Sequence, residues 1–290
     1  MADFFTHFGR SVELVQESGR VLRSDSELLV LPLLSGLASL VVIGAFGYGV
    51  WQSGLLPPPG EDVRPEMLPW QLYVALFVFY FVQYTVIIFF NTALVGAAIA
   101  KLSGGEVTVS SALGLAVSRI WAILGYALIS ATIGILLRYI GERFGFIGRL
   151  IEGVLGVGWT VATFLVVPVL AAEGMNPIAS LERSIEMLHD TWGENIVGGV
   201  GISVATGLAG MAVILIFGAG GMAAINAGYL ALGIVLFAGG VVAMIAVTLI
   251  SAALTGIYAG AVYCFALTGT PPRGFEANSI REAFNRKGAN

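Results

Sequence analysis

Six long apolar stretches occupy most of this 290-residue chain, and its acidic, basic and strongly polar residues are confined to the segments between them. A bilayer core about 30 Å thick is crossed by about 20 apolar residues in a helix that rises about 1.5 Å per residue. No water is present there to bond an open backbone, so only helices or closed barrels cross it. These runs are too long and too continuous for barrel strands. The fold class expected is therefore all-α, a polytopic membrane helical bundle of about six transmembrane helices, with amphipathic interfacial helices before the odd-numbered spans. Composition agrees: only 11% of residues are charged and the mean hydropathy is +0.91, whereas a soluble domain carries about 25% charged residues.

The spans are expected near 28–51, 70–100, 120–140, 151–172, 195–217 and 229–267, which divides the chain into an amphipathic N-terminal helix (1–26), a six-helix transmembrane domain (27–267) and a C-terminal tail (268–290). The first segment carries Arg10, Arg20 and Arg23 and lacks the short apolar core and cleavage site of a secretory signal, so no cleavage is expected. Cytoplasmic loops retain Lys and Arg during insertion. With the N-terminus inside, the inner segments hold Arg10, Arg20, Arg23, Lys101, Arg119, Arg183, Arg273, Arg281, Arg286 and Lys287, and the outer ones Arg64, Arg138, Arg143 and Arg149. Ten against four places both termini in the cytoplasm. The three outer arginines between the third and fourth spans run against this trend, but Glu142 stands one turn from Arg138, and Glu152 lies just beyond.

Segments with helical apolar spacing precede the odd-numbered spans: Phe4, Phe8, Val12, Val15 and Leu22 before the first, and Ile178, Leu181, Ile185, Leu188 and Trp192 before the fifth. A shorter one at 110–118 precedes the third, so the chain reads as three units, each an interfacial helix feeding a helical hairpin. Asn176 followed by Pro177 is an N-cap with proline in the first helical position, and Ser279 with Glu282 makes a capping box in the tail. Small residues let helices approach closely in lipid. They recur at four-residue spacing in Thr92, Gly96 and Ala100, in Gly199, Ser203, Gly207 and Met211, and in Ala252, Gly256, Gly260 and Cys264. Pro168 removes the backbone bond to Phe164, so a kink is expected in the fourth span. Gly239 and Gly240 permit a bend in the last span, which would extend about 58 Å if straight.

No catalytic, cofactor-binding or metal-ligating constellation is legible. Mid-membrane positions carry no Asp, Glu, Lys or His, the residues that mark proton and ion pathways. His7 and His189 fall in interfacial segments, and the glycine-rich stretches lack the Lys-Ser/Thr ending of a phosphate loop. The lone Cys264 offers no internal disulfide, and a net charge of −4 argues against nucleic acid as a partner. Gln83 and Asn91, deep in the second span, each need a hydrogen-bond partner, and they either tie helices together or line a solute path.

The runs Asp25 to Ser35 (DSELLVLPLLS), Phe90 to Leu94 (FNTAL) and Ser130 to Leu137 (SATIGILL), together with Pro168, Glu173-Gly174, Thr191 to Glu194 and the closing segment from Thr268 to Phe275, resemble a family of six-helix prokaryotic integral membrane proteins with a domain of unknown function. A fainter likeness, in architecture only, is to membrane domains found beside some glycerophosphodiester phosphodiesterases, whose catalytic residues this chain lacks. The resemblance implies a multi-pass protein of the prokaryotic cytoplasmic (inner) membrane and no mechanism. Two functional classes follow. The first is a non-enzymatic protein that engages membrane lipids, a membrane-protein partner or a second copy through its cytoplasmic interfacial helices, with Arg183, Glu186, His189 and Trp192 as a candidate contact. The second is a channel or facilitator for a small neutral solute lined by Gln83 and Asn91.

Overall fold

The structure, a computed structural model, describes residues 17–23, 26–55, 69–192 and 198–275. Among these, regular structure is helical throughout, with no strand. After a helical stretch at 17–23, a 3-10 turn (Ser26–Leu29) leads into α1 (Val30–Gln52). Then follow α2 (Trp70–Leu102), α3 (Val109–Ser118), α4 (Ile120–Arg143), α5 (Gly145–Ala162), α6 (Val166–Ala172), α7 (Pro177–Trp192) and α8 (Gly198–Val213). A π-helical turn (Ile214–Ala219) joins α8 to α9 (Gly220–Asn226), and α10 (Leu230–Thr268) closes the described chain. The amphipathic residues before position 17 and the tail helix expected around Ser279 lie outside the described residues.

Among the described residues, six helical stretches are long and apolar enough to cross a membrane: Glu27–Gln52, Trp70–Leu102, Ile120–Arg143, Ile147–Ala172, Ala205–Asn226 and Leu230–Thr268. Their side chains say which solvent they suit. Val41 is 70% exposed, Trp121 83% and Val242 67%. In water such surface costs about 25 cal/mol per Å², whereas hydrocarbon removes that cost. This is the makeup of a multi-pass membrane protein.

Two crossings differ in detail from the pattern of apolar runs. The fifth continues past Phe217 to Asn226, through Gly218, Gly220 and Gly221. In lipid, glycines do not stop a helix where the backbone has no other partner; here the ladder widens to a π turn and resumes. The last is unbroken for 39 residues, about 58 Å if straight. Gly239 and Gly240 within it make room for Phe217. A Cβ at Gly240 would stand 2.8 Å from the Phe217 Cβ, and one at Gly239 would stand 3.1 Å from its ring.

The chain separates into two compact units, one drawing on Met1–Pro32, Ala97–Val107 and His189–Asn290, the other on Leu33–Gly96 and Thr108–Leu188. In the first, the core gathers along the second half of α10 (Ala253, Ile257, Ala261, Val262) with Leu28, Leu31 and Ala98. Gly260 lets α10 approach the end of α2, where a Cβ would lie 3.3 Å from Ile99 and 3.5 Å from Ala98. In the second, α4 and α5 form a hairpin, and the core joins Ala93 and Leu94 to Ile123, Ala127, Leu165 and Leu170. Leu115 of α3 occupies the space a Cβ would take at Gly96, so that small position is used for packing within the chain.

Most spans end at a left-handed glycine, and the second shows why. Gly104 has φ +89°, its N–H reaches the Lys101 carbonyl at 2.9 Å, and the Gly105 N–H reaches the Ala100 carbonyl at 2.9 Å. Carbonyls that would otherwise be orphaned at the helix end are thereby bonded. The helix α3 then starts from Thr108, whose hydroxyl accepts the Ser111 N–H at 3.2 Å while Ser111 Oγ accepts the Thr108 N–H at 3.1 Å.

Gly240→Ala drives a methyl group into Phe217, and overpacking of this kind costs about 1–3 kcal/mol. The substitution is expected to lower the melting temperature of the detergent-solubilised protein, and Phe217→Leu in the same background to recover part of the loss. An unshifted melting temperature in Gly240→Ala would contradict the packing described.

Candidate functional site

The fourth crossing is two helices rather than one bent helix. Its break at Thr163 to Leu165 lies upstream of Pro168, which takes the third position of α6, where a missing N–H leaves nothing unbonded. Local hydroxyls favour the break. Thr160 and Thr163 donate to the Gly156 and Trp159 carbonyls, both at 2.8 Å, competing with the backbone ladder. The turn tightens through Phe164 N–H to the Val161 carbonyl and Val166 N–H to the Thr163 carbonyl, both 3.1 Å.

Two backbone groups of the break are served from another helix. Ser184 of α7 donates its hydroxyl to the Ala162 carbonyl at 2.7 Å and accepts the Leu165 N–H at 3.2 Å. Its side chain is fully buried, as is Ser180 one turn earlier, and Met187 and Leu188 continue the same buried strip. On the α4 side, Tyr126 lies within hydrogen-bonding reach of Thr163 and Ser130. At the break, backbone carbonyls meet the Phe164 and Val166 N–H groups, and Ser184 meets the Leu165 N–H and the Ala162 carbonyl.

The helix α7 begins as expected at Asn176, whose Oδ1 accepts the Ala179 N–H at 2.9 Å, with Pro177 in the first position. Its buried strip is offset from the apolar stripe legible in the sequence: Leu188 is buried, but Ile178 stays 62% exposed and Ile185 48% exposed. Arg183 reaches Glu173 at 3.8 Å and Glu186 at 3.6 Å, so it braces α7 against the end of α6. Nearby, Gly174 (φ +65°) leaves the space that the Arg119 guanidinium occupies. Glu186 and His189 are exposed; the side chain of Trp192 lies outside what is described.

In the first unit, Arg20, Lys101 and Arg273 line one cavity of ≈ 260 Å³ together with Val21, Leu102 and Gly274. Arg20 comes from the stretch at 17–23, Lys101 from the last turn of α2, and Arg273 from the segment after α10. The guanidinium of Arg273 lies where a Cβ of Gly104 would be. All three cations count towards the charge asymmetry of the sequence, but they stand 81 and 172 residues apart, and no local pattern announces their meeting. A second concavity, an apolar groove of ≈ 670 Å³, runs between α8 and α10 past Gly207, Met211, Met244 and Ser251.

The two deep amides of α2 are not brought to either place. Gln83 is half-buried with an Oε1 that has no hydrogen-bond partner among the described residues, and Asn91 is half-buried two turns on. Between the third and fourth crossings, Arg138 does pair with Glu142, Nε to Oε1 at 2.8 Å, and also donates to the Tyr80 hydroxyl at 3.2 Å. Among the described residues no group of three or more His, Cys, Asp or Glu side chains is placed to hold a metal.

Residues 71–273 match a family of unknown function, DUF6159. No curated protein and no solved structure matches the chain.

Ser184→Ala leaves the Ala162 carbonyl and Leu165 N–H buried and unbonded, a loss of about 1–3 kcal/mol. The expected result is a lowered melting temperature with faster amide exchange confined at first to a peptide covering 163–166. Unchanged protection of that peptide would mean that the joint is closed by something other than Ser184.

Proposed function

We propose, for a chain that belongs to the DUF6159 family of unknown function, a non-enzymatic multi-pass protein of the cytoplasmic membrane, both termini inside, that engages lipid through α7. The observation that carries this reading is the division of α7 into two faces. Ser180, Ser184, Met187 and Leu188 hold it to the body of the protein, while Ile178 and Ile185, two turns apart, remain outward and apolar. A helix anchored in this way and set beside a membrane span presents those isoleucines at headgroup depth. The excess of Lys and Arg on the segments assigned to the inside, ten against four, supports the orientation.

The solute-channel reading rests on the unpartnered Gln83 Oε1. It gains nothing from the broken fourth span. Discontinuous helices form substrate sites when their loose backbone groups face a cavity, and here Ser184 takes them. Flux of a small neutral solute in proteoliposomes that is lost in Gln83→Leu would favour the channel.

The lipid reading is tested with an environment-sensitive fluorophore on Ile185→Cys in a Cys264→Ser background, with the protein in lipid nanodiscs. Blue-shifted emission, quenched by lipids brominated near the headgroup, is expected. Emission as red as that of a fluorophore on a water-facing loop would remove α7 from the lipid surface.

A further inference from the structure

We infer that the cavity lined by Arg20, Lys101 and Arg273 is a binding site for a phosphate group, presented by the headgroup of an anionic lipid. Three cations from segments far apart in sequence share one concavity of ≈ 260 Å³. Folding that gathers like charges in a confined place works against their mutual repulsion, and an anion among them reverses the sign of that term. Among the described residues that line it, every charged side chain is a cation.

The chemistry of the three suits phosphate. Arg offers a planar fork of N–H donors that pairs with two phosphate oxygens, and Lys adds a mobile point charge. The Arg273 head is also positioned by the backbone. It lies against Gly104, whose left-handed turn (φ +89°) and missing side chain leave the guanidinium its place. The size, ≈ 260 Å³, falls just below the about 300–1,000 Å³ usual for drug-sized ligands and suits a single headgroup phosphate.

Placement favours a lipid as the carrier of that phosphate. Lys101 stands one residue from the end of the crossing helix Trp70–Leu102, and Arg273 five residues beyond the end of Leu230–Thr268. Crossing helices end at the depth of the headgroup layer. Val21 and Leu102, both buried apolar residues in the same lining, supply a wall for the glycerol and first methylenes. The inference shares with the lipid-engaging reading only the membrane setting; α7 and this cavity answer to different probes, so either fails alone.

The test uses the full chain in neutral detergent, titrated by native mass spectrometry with phosphatidic acid, phosphatidylglycerol and phosphatidylcholine, and by calorimetry with inorganic phosphate. The anionic lipids are expected to bind more tightly than phosphatidylcholine. Arg273→Gln and Lys101→Gln each weaken them about fivefold, the equivalent of about 1 kcal/mol for one cation at an anionic membrane surface. Gly104→Ala, which keeps every charge but displaces Arg273, weakens them too. Arg273→Lys retains most of the affinity and shows that loss in Arg273→Gln is not loss of fold, and Arg149→Gln, in the other unit, changes nothing. Competition between inorganic phosphate and phosphatidic acid supports the phosphate site. Inorganic phosphate binding as tightly as the anionic lipids, or equal affinity for phosphatidic acid and phosphatidylcholine, overturns the lipid assignment. Unaltered binding in both Arg273→Gln and Lys101→Gln overturns the site.

Discussion

A backbone inside hydrocarbon has only its own chain to bond, and each amide or carbonyl left bare there costs several kcal/mol. This constraint accounts for the features of the chain that look irregular. Where α5 stops and α6 starts, the Ala162 carbonyl and Leu165 N–H are claimed by one serine hydroxyl from α7. Where glycines accumulate in the fifth crossing, the ladder widens to a π turn and does not open. Where the second crossing ends, the Gly104–Gly105 turn folds N–H groups back onto the last carbonyls.

The same solvent removes the usual reason for helices to associate. Lipid tails are as apolar as Leu, so helices gain from close fit rather than from burial. Glycine then acts as a receptor for a neighbouring side chain. Leu115 sits at Gly96 in one unit, and Phe217 at Gly239 and Gly240 in the other. These contacts explain why a fold with so little buried surface along its spans is still specific. The last span has 6% of its most apolar window buried, and its packing is concentrated in the half that holds Ala253, Ile257 and Ala261.

The crossings, their helical class and the start of α7 were legible in the sequence because each rests on local physics: run length, an Asn176 cap, a proline in the first turn. The interruption at Thr163 to Leu165 contains Phe164, the residue whose carbonyl Pro168 leaves without its helical partner, so its place was legible, but its closure by the Ser184 hydroxyl, 19 residues beyond Leu165, was not. The packing at Gly239-Gly240 was not legible for a related reason: a glycine pair signals freedom, but the ring that fits against it belongs to Phe217, 22 residues before Gly239. On α7, periodicity grouped Ile178, Ile185 and Leu188 into one apolar stripe, whereas Leu188 is buried beside Ser180 and Ser184 and the two isoleucines are exposed, because the joint at Thr163 to Leu165 draws in the face that carries a hydroxyl. The convergence of Arg20, Lys101 and Arg273 has no local trace at all.

One arrangement occurs in both units and links turn chemistry to charge placement. Arg119 lies over Gly174 and Arg273 over Gly104, in each case a guanidinium against a left-handed glycine that closes a crossing helix. Guanidinium is flat and weakly hydrated, so it tolerates contact with bare backbone better than an ammonium does. A helix end also carries a partial negative charge on its last carbonyls, which favours a cation nearby. The glycine that ends the helix thus also makes the seat for the arginine that neutralises it. The two seats then diverge. Arg119 turns a buried Nε without a hydrogen-bond partner among the described residues into a packed second unit, whereas Arg273 shares a cavity wall with two further cations. The partial charge of one helix end suits a single arginine, and a wall that carries three cations is the setting from which the phosphate site is inferred.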